Sequence, residues 1–241
     1  DLLPYVDPET REQRNLGTQT NNPYWIANEN PFTNDVERFI GSGEIGFEPF
    51  SFLDITYRIG TDLYTENRRR INRVGTIGRE NGNFTDETLQ ERQIDSNLLV
   101  TFEYDLTPDL NLTAIAGNNV NQQTFERIRN SASDLSVDEL YNFGNANNNS
   151  PSNTFSERRI IGAFGDVTLG YKDWAFLTVT GRNDWSSTLP KDNNSFFYPS
   201  VNTSVILSDA LGFEESNLSY LKLRANYAQV GSDKETYQLH S

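Results

Sequence analysis

Strict alternation of side-chain character, repeated in about eight separate runs, constrains this chain more than any other feature of it. In Phe52–Leu63 one face carries Leu53, Ile55, Tyr57, Ile59, Thr61 and Leu63, and the other carries Asp54, Thr56, Arg58, Gly60 and Asp62. Asn97–Leu106 sets Leu98, Val100, Phe102, Tyr104 and Leu106 against Leu99, Thr101, Glu103 and Asp105. A period of two is the repeat of a β-strand with different surroundings on its two faces. The same pattern marks Glu37–Phe47, Leu110–Gly117, Gly165–Tyr171, Trp174–Trp185, Val201–Ser208 and Leu221–Ala228. Helical periodicity is nearly absent, with room for a turn of helix at Ser133–Tyr141 and Asp209–Asn217. The fold class is therefore all-β: an antiparallel up-and-down meander of about eight strands.

The connections alternate in length. Short ones fall at 48–51, 107–109 and 171–174, with 208–218 on the same side but longer. Long polar ones fall near 65–93, 130–156 and 186–195. The stretch "NFGNANNNSPSN", Asn142–Asn153, holds so little apolar material that it is not expected to order itself. Two architectures fit: a soluble sheet with one wet face, or a membrane barrel with a wet interior.

No apolar run approaches the ~18 residues of a membrane helix. That is no argument for solubility, because alternating barrel strands hide their lipid face from any averaging window. Aromatic placement favours the barrel. Phe47, Phe50, Phe52, Tyr104, Tyr171 and Trp174 crowd the tight-turn ends, where a girdle would meet lipid headgroups, rather than the strand centres. In "LTVTGRNDWSS" the barrel reading turns Ala175, Leu177 and Val179 toward lipid. Thr178, Thr180, Arg182 and Asp184 then line an aqueous interior, where charges stay hydrated.

Charge and composition exclude several function classes. With 34 acidic against 20 basic residues the net charge is -14, the wrong sign for a general nucleic-acid binder. The basic run Arg68-Arg69-Arg70 is expected in a solvated loop. No cysteine is present, which removes disulfides, thiolate metal sites and cysteine nucleophiles. The single histidine, His240, makes a Ser-His-Asp device or a histidine metal site untenable. Acidic pairs such as Asp54 with Asp62, or Glu103 with Asp105, are what any hydrated lumen would show, so no enzyme and no cofactor is expected. Asp184 and Asp192-Asn193-Asn194 read as solvated loop rather than a calcium site. The absence of methionine, and a start at Asp1-Leu2-Leu3-Pro4 without signal-peptide character, are expected of an internal piece of a longer chain.

Longer motifs add a resemblance. "RRIIGAFGDVTLGYKDWAFLTVTGRNDWSSTLPKDNNSFFYPSVNTSVILSDA" (Arg158–Ala210) and "LSYLKLRANYAQVGSD" (Leu218–Asp233) are similar to the SusC/RagA-type TonB-dependent outer-membrane transporters. "NPYW" (Asn22–Trp25) and "ERFIGSGEIGFEPFSFLDITYRIGTD" (Glu37–Asp62) resemble the same family, so the likeness runs from about Asn22 onward outside the long loops. The resemblance implies a barrel of about 22 strands filled by an N-terminal plug. It also implies a SusD-like surface lipoprotein as lid, TonB acting through the plug, outer-membrane lipid around the barrel, and glycan or peptide cargo. Residues 1–34 are then an extracellular loop leading into the barrel and 35–241 a middle portion of it. The long loops are extracellular, the short turns periplasmic, and the location is the outer membrane of a Gram-negative cell.

Candidate cargo-contacting residues are Trp25 and Trp185, near the long-loop ends, and the lumen-facing Arg182 and Asp184. The tryptophans equally suit an upper girdle or packing beneath the loops. Arg182 and Asp184 equally suit pairing with each other or contact with the plug. The competing functions are a passive porin and a soluble β-sandwich of the carbohydrate-binding or adhesion kind. A self-contained eight-stranded barrel would require the first and last strands to pair.

Overall fold

The alternating runs form eight strands of a single sheet, each beside its neighbours in sequence, in the order β1 to β8. The computed structural model describes residues 3–15, 17, 19–212 and 220–231. The strands are β1 (Phe32–Phe50), β2 (Leu53–Asn72), β3 (Asn83–Thr107), β4 (Leu110–Leu135), β5 (Ala146–Tyr171), β6 (Ala175–Ser186), β7 (Ser195–Ile206) and β8 (Lys222–Ala228). Two short helices, α1 (Pro23–Glu29) and α2 (Leu207–Leu211), lie before β1 and after β7. Among the described residues β1 and β8 are not paired, so the eight strands do not make a barrel by themselves. His240 lies outside the described residues.

Register decides which side chains share a face. Val167, Val179, Val201 and Tyr227 form one row across β5 to β8, and Leu169, Leu177, Thr203 and Ala225 form the next. Directly opposed residues of antiparallel strands point to the same side, so these rows make one continuous apolar face. It is bare: Val179 is 50% exposed and Tyr227 69%. The opposite face carries rows such as Asp166, Thr180, Ser200 and Ala228, then Thr168, Thr178, Asn202 and Asn226.

Two compact units divide the chain. Asp1–Phe39, Leu63–Arg92 and Thr124–Ser156 make the first, which contains every fully buried apolar side chain described: Trp25, Phe84, Ala132 and Leu135. Ile71, Tyr141, Phe143 and Ala146 pack around Phe84, Ala132 and Leu135. Ile40–Asp62, Gln93–Gln123 and Glu157–Ser241 make the second. Among its described residues no large apolar side chain is buried; Leu98 is exposed, and Val100 and Phe102 are half-buried. A soluble sandwich needs a dry core between two sheets, and the described residues of this unit form neither a second sheet nor a core.

The second unit also holds the aromatics of the tight turns. Phe50 stacks on Phe52 at 5.2 Å, Phe52 meets Phe102 edge-on at 5.5 Å, and Tyr171 meets Trp174 edge-on at 5.5 Å. Phe47, Phe50, Tyr104 and Tyr171 are exposed. At the β5–β6 turn Lys172 and Asp173 adopt positive φ (48° and 60°), the primed-turn conformation whose twist matches flanking strands.

The strands run further than the apolar alternation predicts. The stretches 65–93 and 130–156, expected as long loops, are mostly strand, and the connections shrink to 73–82 and 136–145. Alternation of apolar with polar residues disappears where both faces are wet, but the ladder continues, held by polar side-chain pairs. Thr88 donates to Asn67 Oδ1 (2.8 Å), Asn153 donates to Glu126 Oε1 (3.3 Å), and the Thr85 and Ser131 hydroxyls bond at 3.1 Å. Arg68, Arg69 and Arg70 consequently sit on β2 rather than in a solvated loop.

The asparagine-rich stretch is ordered too, against expectation. Asn142 caps a 3-10 turn at Phe143–Asn145, accepting from the Gly144 N–H at 2.8 Å. Asn145 Nδ2 donates to the Val137 and Leu140 carbonyls, both at 2.7 Å, and Phe143 packs on Phe84 at 4.8 Å between ring centres. Short amide side chains supply locally the hydrogen bonds that a poor apolar content could not. No helix forms at Ser133–Tyr141, whereas α2 provides the helical turn expected after β7 and ends on Gly212 in the left-handed region (φ 67°). Residues 213–219 of that connection lie outside the described residues.

Candidate functional site

On β6 the even positions Phe176, Thr178, Thr180, Arg182 and Asp184 share the polar face with Phe164, Asp166 and Thr168 of β5. Thr180 Oγ1 donates to Asp166 Oδ2 at 2.7 Å, and the Thr168 and Thr178 hydroxyls bond at 2.9 Å. One row up, Arg182 Nε lies 2.8 Å from Asp184 Oδ1, and the guanidinium sits 5.6 Å above the Phe164 ring. That carboxylate oxygen is buried and the contact is close but poorly aligned for a hydrogen bond, so it is an ion pair held by proximity. Arg182 and Asp184, predicted together, do meet, and their first partners are each other.

Space for this pair comes from a missing side chain. A Cβ on Gly162 would stand 2.3 Å from Arg182 Nη2 and 2.6 Å from Asp184 Oδ1. Gly117 does the same for Phe164, whose ring atoms would lie 2.4 Å from an added Cβ. These glycines are needed for close approach rather than for unusual backbone angles.

Trp185 is not with them. Its partners across the ladder are Ile161 and Ser195, so it shares the exposed apolar face with Leu177 and Val179. An odd position beside an even pair must point the other way. Trp25 lies in the first unit and is 0% exposed. Its indole N–H donates to Thr76 Oγ1 at 2.9 Å, and its ring lies 5.5 Å beneath the Arg73 guanidinium. A ring so enclosed has no free face for a sugar or a peptide side chain. Of the four candidates the structure therefore brings together only Arg182 and Asp184.

Arg73 is the centre of a buried ionic knot that sequence reading missed. Its side chain, 6% exposed, contacts Glu29 (2.7 Å), Asp138 (3.2 Å) and Glu139 (2.6 Å). Burial works against its charge, but the hydrogen bond it donates to Glu29 and the field of Asp138 outweigh that and hold the guanidinium above its ordinary pKa. The knot ties α1 to the 136–145 connection, across 44 and 65 residues of sequence, which no local pattern reveals. Nearby, Asp7 accepts from the N–H groups of Glu9 and Thr10, which lower its carboxyl pKa.

No family model matches the chain. The TonB-dependent receptor P26 of Formosa agariphila is 27% identical over 231 residues, covering 90% of this chain and 23% of that protein. The structure of the RagAB peptide transporter superposes with a TM-score of 0.79 at 18% identity, over 90% of this chain and 25% of that one. The chain therefore has the fold of a segment of the RagAB transporter's β-barrel. The RagAB peptide importer in its open-open state matches the segment as well, with a TM-score of 0.78 and 19% identity over 90% of the chain. The chain spans about a quarter of the length of the proteins it matches.

Proposed function

We propose that the segment forms part of a TonB-dependent importer that carries oligopeptides across the outer membrane with a SusD-like surface lipoprotein. The observation that carries this reading is the division of faces: a bare apolar sheet surface backed by rows of threonine, aspartate and arginine, in the fold of the RagAB peptide transporter. Oligopeptide is favoured over glycan because the similar structures are those of peptide carriers. Arg182 and Asp184 are the interior groups proposed to meet plug or cargo, and Phe47, Phe50, Tyr104, Tyr171 and Trp174 the headgroup girdle.

In this reading the connections 73–82, 136–145 and 187–194 face the exterior, and the turns at 51–52, 108–109 and 172–174 face the periplasm. The decisive experiment follows uptake of labelled oligopeptides and oligosaccharides by cells carrying the full-length protein, with and without a functional TonB complex. TonB-dependent peptide uptake supports the proposal. Uptake that persists without TonB identifies a passive porin, and oligosaccharide uptake alone moves the cargo to the glycan class.

A further inference from the structure

The arginines of β2 do not stand alone. Arg68 and Arg70 share a face with Glu87 on β3 and Arg127 and Arg129 on β4, around a cleft of about 210 Å³ bordered by Phe32. On β2 these even positions continue the parity of Asp54, Thr56 and Arg58, the polar side of the strand. Two carboxylates are already committed there. Glu66 is buried and grips Arg68 through both oxygens at 2.7 Å, while accepting from the Tyr64 hydroxyl at 2.6 Å. Glu87 is held by Arg127, with Arg68 3.6 Å away.

Arg70 and Arg129 are exposed and have no carboxylate partner among the described residues; Arg70 rests on the Phe32 ring at 5.3 Å. Four guanidiniums thus face two carboxylates in a chain whose net charge is -14. The two exposed guanidiniums are planar forks with free donors, and that geometry matches a carboxylate's two oxygens. The cleft of about 210 Å³ is open to solvent and can admit an acidic side chain.

We propose that this cleft is a carboxylate-binding subsite for acidic oligopeptide cargo, with Arg70 and Arg129 as the ligands and the Arg68–Glu66 and Arg127–Glu87 pairs as their support. The assignment rests on the oligopeptide reading above.

The test uses the intact full-length transporter in detergent and measures binding of short defined peptides, one set rich in Asp and Glu and one neutral, alongside an oligogalacturonate. The R70Q/R129Q double variant is expected to weaken acidic peptides about tenfold or more, the cost of losing charged hydrogen bonds, and to leave neutral peptides unchanged. The R70K/R129K variant, with the charge but not the fork, is expected to fall between. Retained neutral-peptide binding shows that the variants are folded. If both peptide sets bind the wild type and acidic binding survives R70Q/R129Q, the subsite is overturned while the oligopeptide reading stands. If neither set binds the wild type, the oligopeptide reading fails and this assignment with it. Arginine-dependent binding of the oligogalacturonate alone likewise overturns it in favour of a uronate.

Discussion

At the scale of single residues, the chain's few enclosed side chains act as pins. Trp25 fills its site completely and satisfies its only polar atom on Thr76. Trp25→Ala is expected to cost about 3–5 kcal/mol by cavity formation, measured as lost hydrogen-exchange protection in residues 22–30 and 73–82. Arg73→Met leaves Glu29, Asp138 and Glu139 facing one another without a cation. It should destabilise the same region by about 1–3 kcal/mol, less than for a fully buried pair because Asp138 and Glu139 remain partly hydrated. The glycines that make room for larger neighbours are equally specific. Gly162→Ala forces Arg182 and Asp184 apart and should cost about 1–3 kcal/mol from overpacking. The loss is expected to shrink in an R182A background, where the clash with the guanidinium is gone; a double-mutant cycle in urea reads the coupling.

At the scale of elements, a strand in this sheet has two solvents, and neighbouring positions therefore respond in opposite ways. Val179 lies on the bare apolar face and Thr178 on the polar one. Val179→Arg should destabilise the barrel by about 2–4 kcal/mol in lipid vesicles, the expected cost of arginine near the bilayer midplane. Thr178→Arg, hydrated in the interior, should cost little. Equal penalties in a vesicle-folding titration would contradict the assignment of faces. The long strands make a related point. β3, β4 and β5 run for 25, 26 and 26 residues, whereas crossing the hydrocarbon takes only about 9–11. The surplus carries the polar cross-strand pairs and the arginine cleft.

At the scale of the whole molecule, orientation and solvent are the testable quantities. This chain contributes no cysteine of its own to a labelling experiment, so only cysteines elsewhere in the full-length protein need replacing first. In cells carrying the full-length protein, Arg79→Cys should react with an impermeant maleimide added outside, and Ser51→Cys only after the outer membrane is permeabilised. Both residues are exposed and lie in connections at opposite ends of β2. The sequence by itself determined the strand count, the division into an apolar and a polar face, and the resemblance to a barrel family. Side-chain alternation is a local property of extended backbone, and each apolar row is written in consecutive odd or even positions. The strand limits in 65–93 and 130–156 were not legible, because a ladder wet on both sides has no apolar signature. The fate of the candidate site residues was decided only by tertiary structure. Trp25 was enclosed by Arg73 and Thr76, about fifty residues away, and Arg68 was brought to Glu87 on the next strand. Such meetings depend on register and on chain reversals, quantities that no stretch of sequence carries within itself.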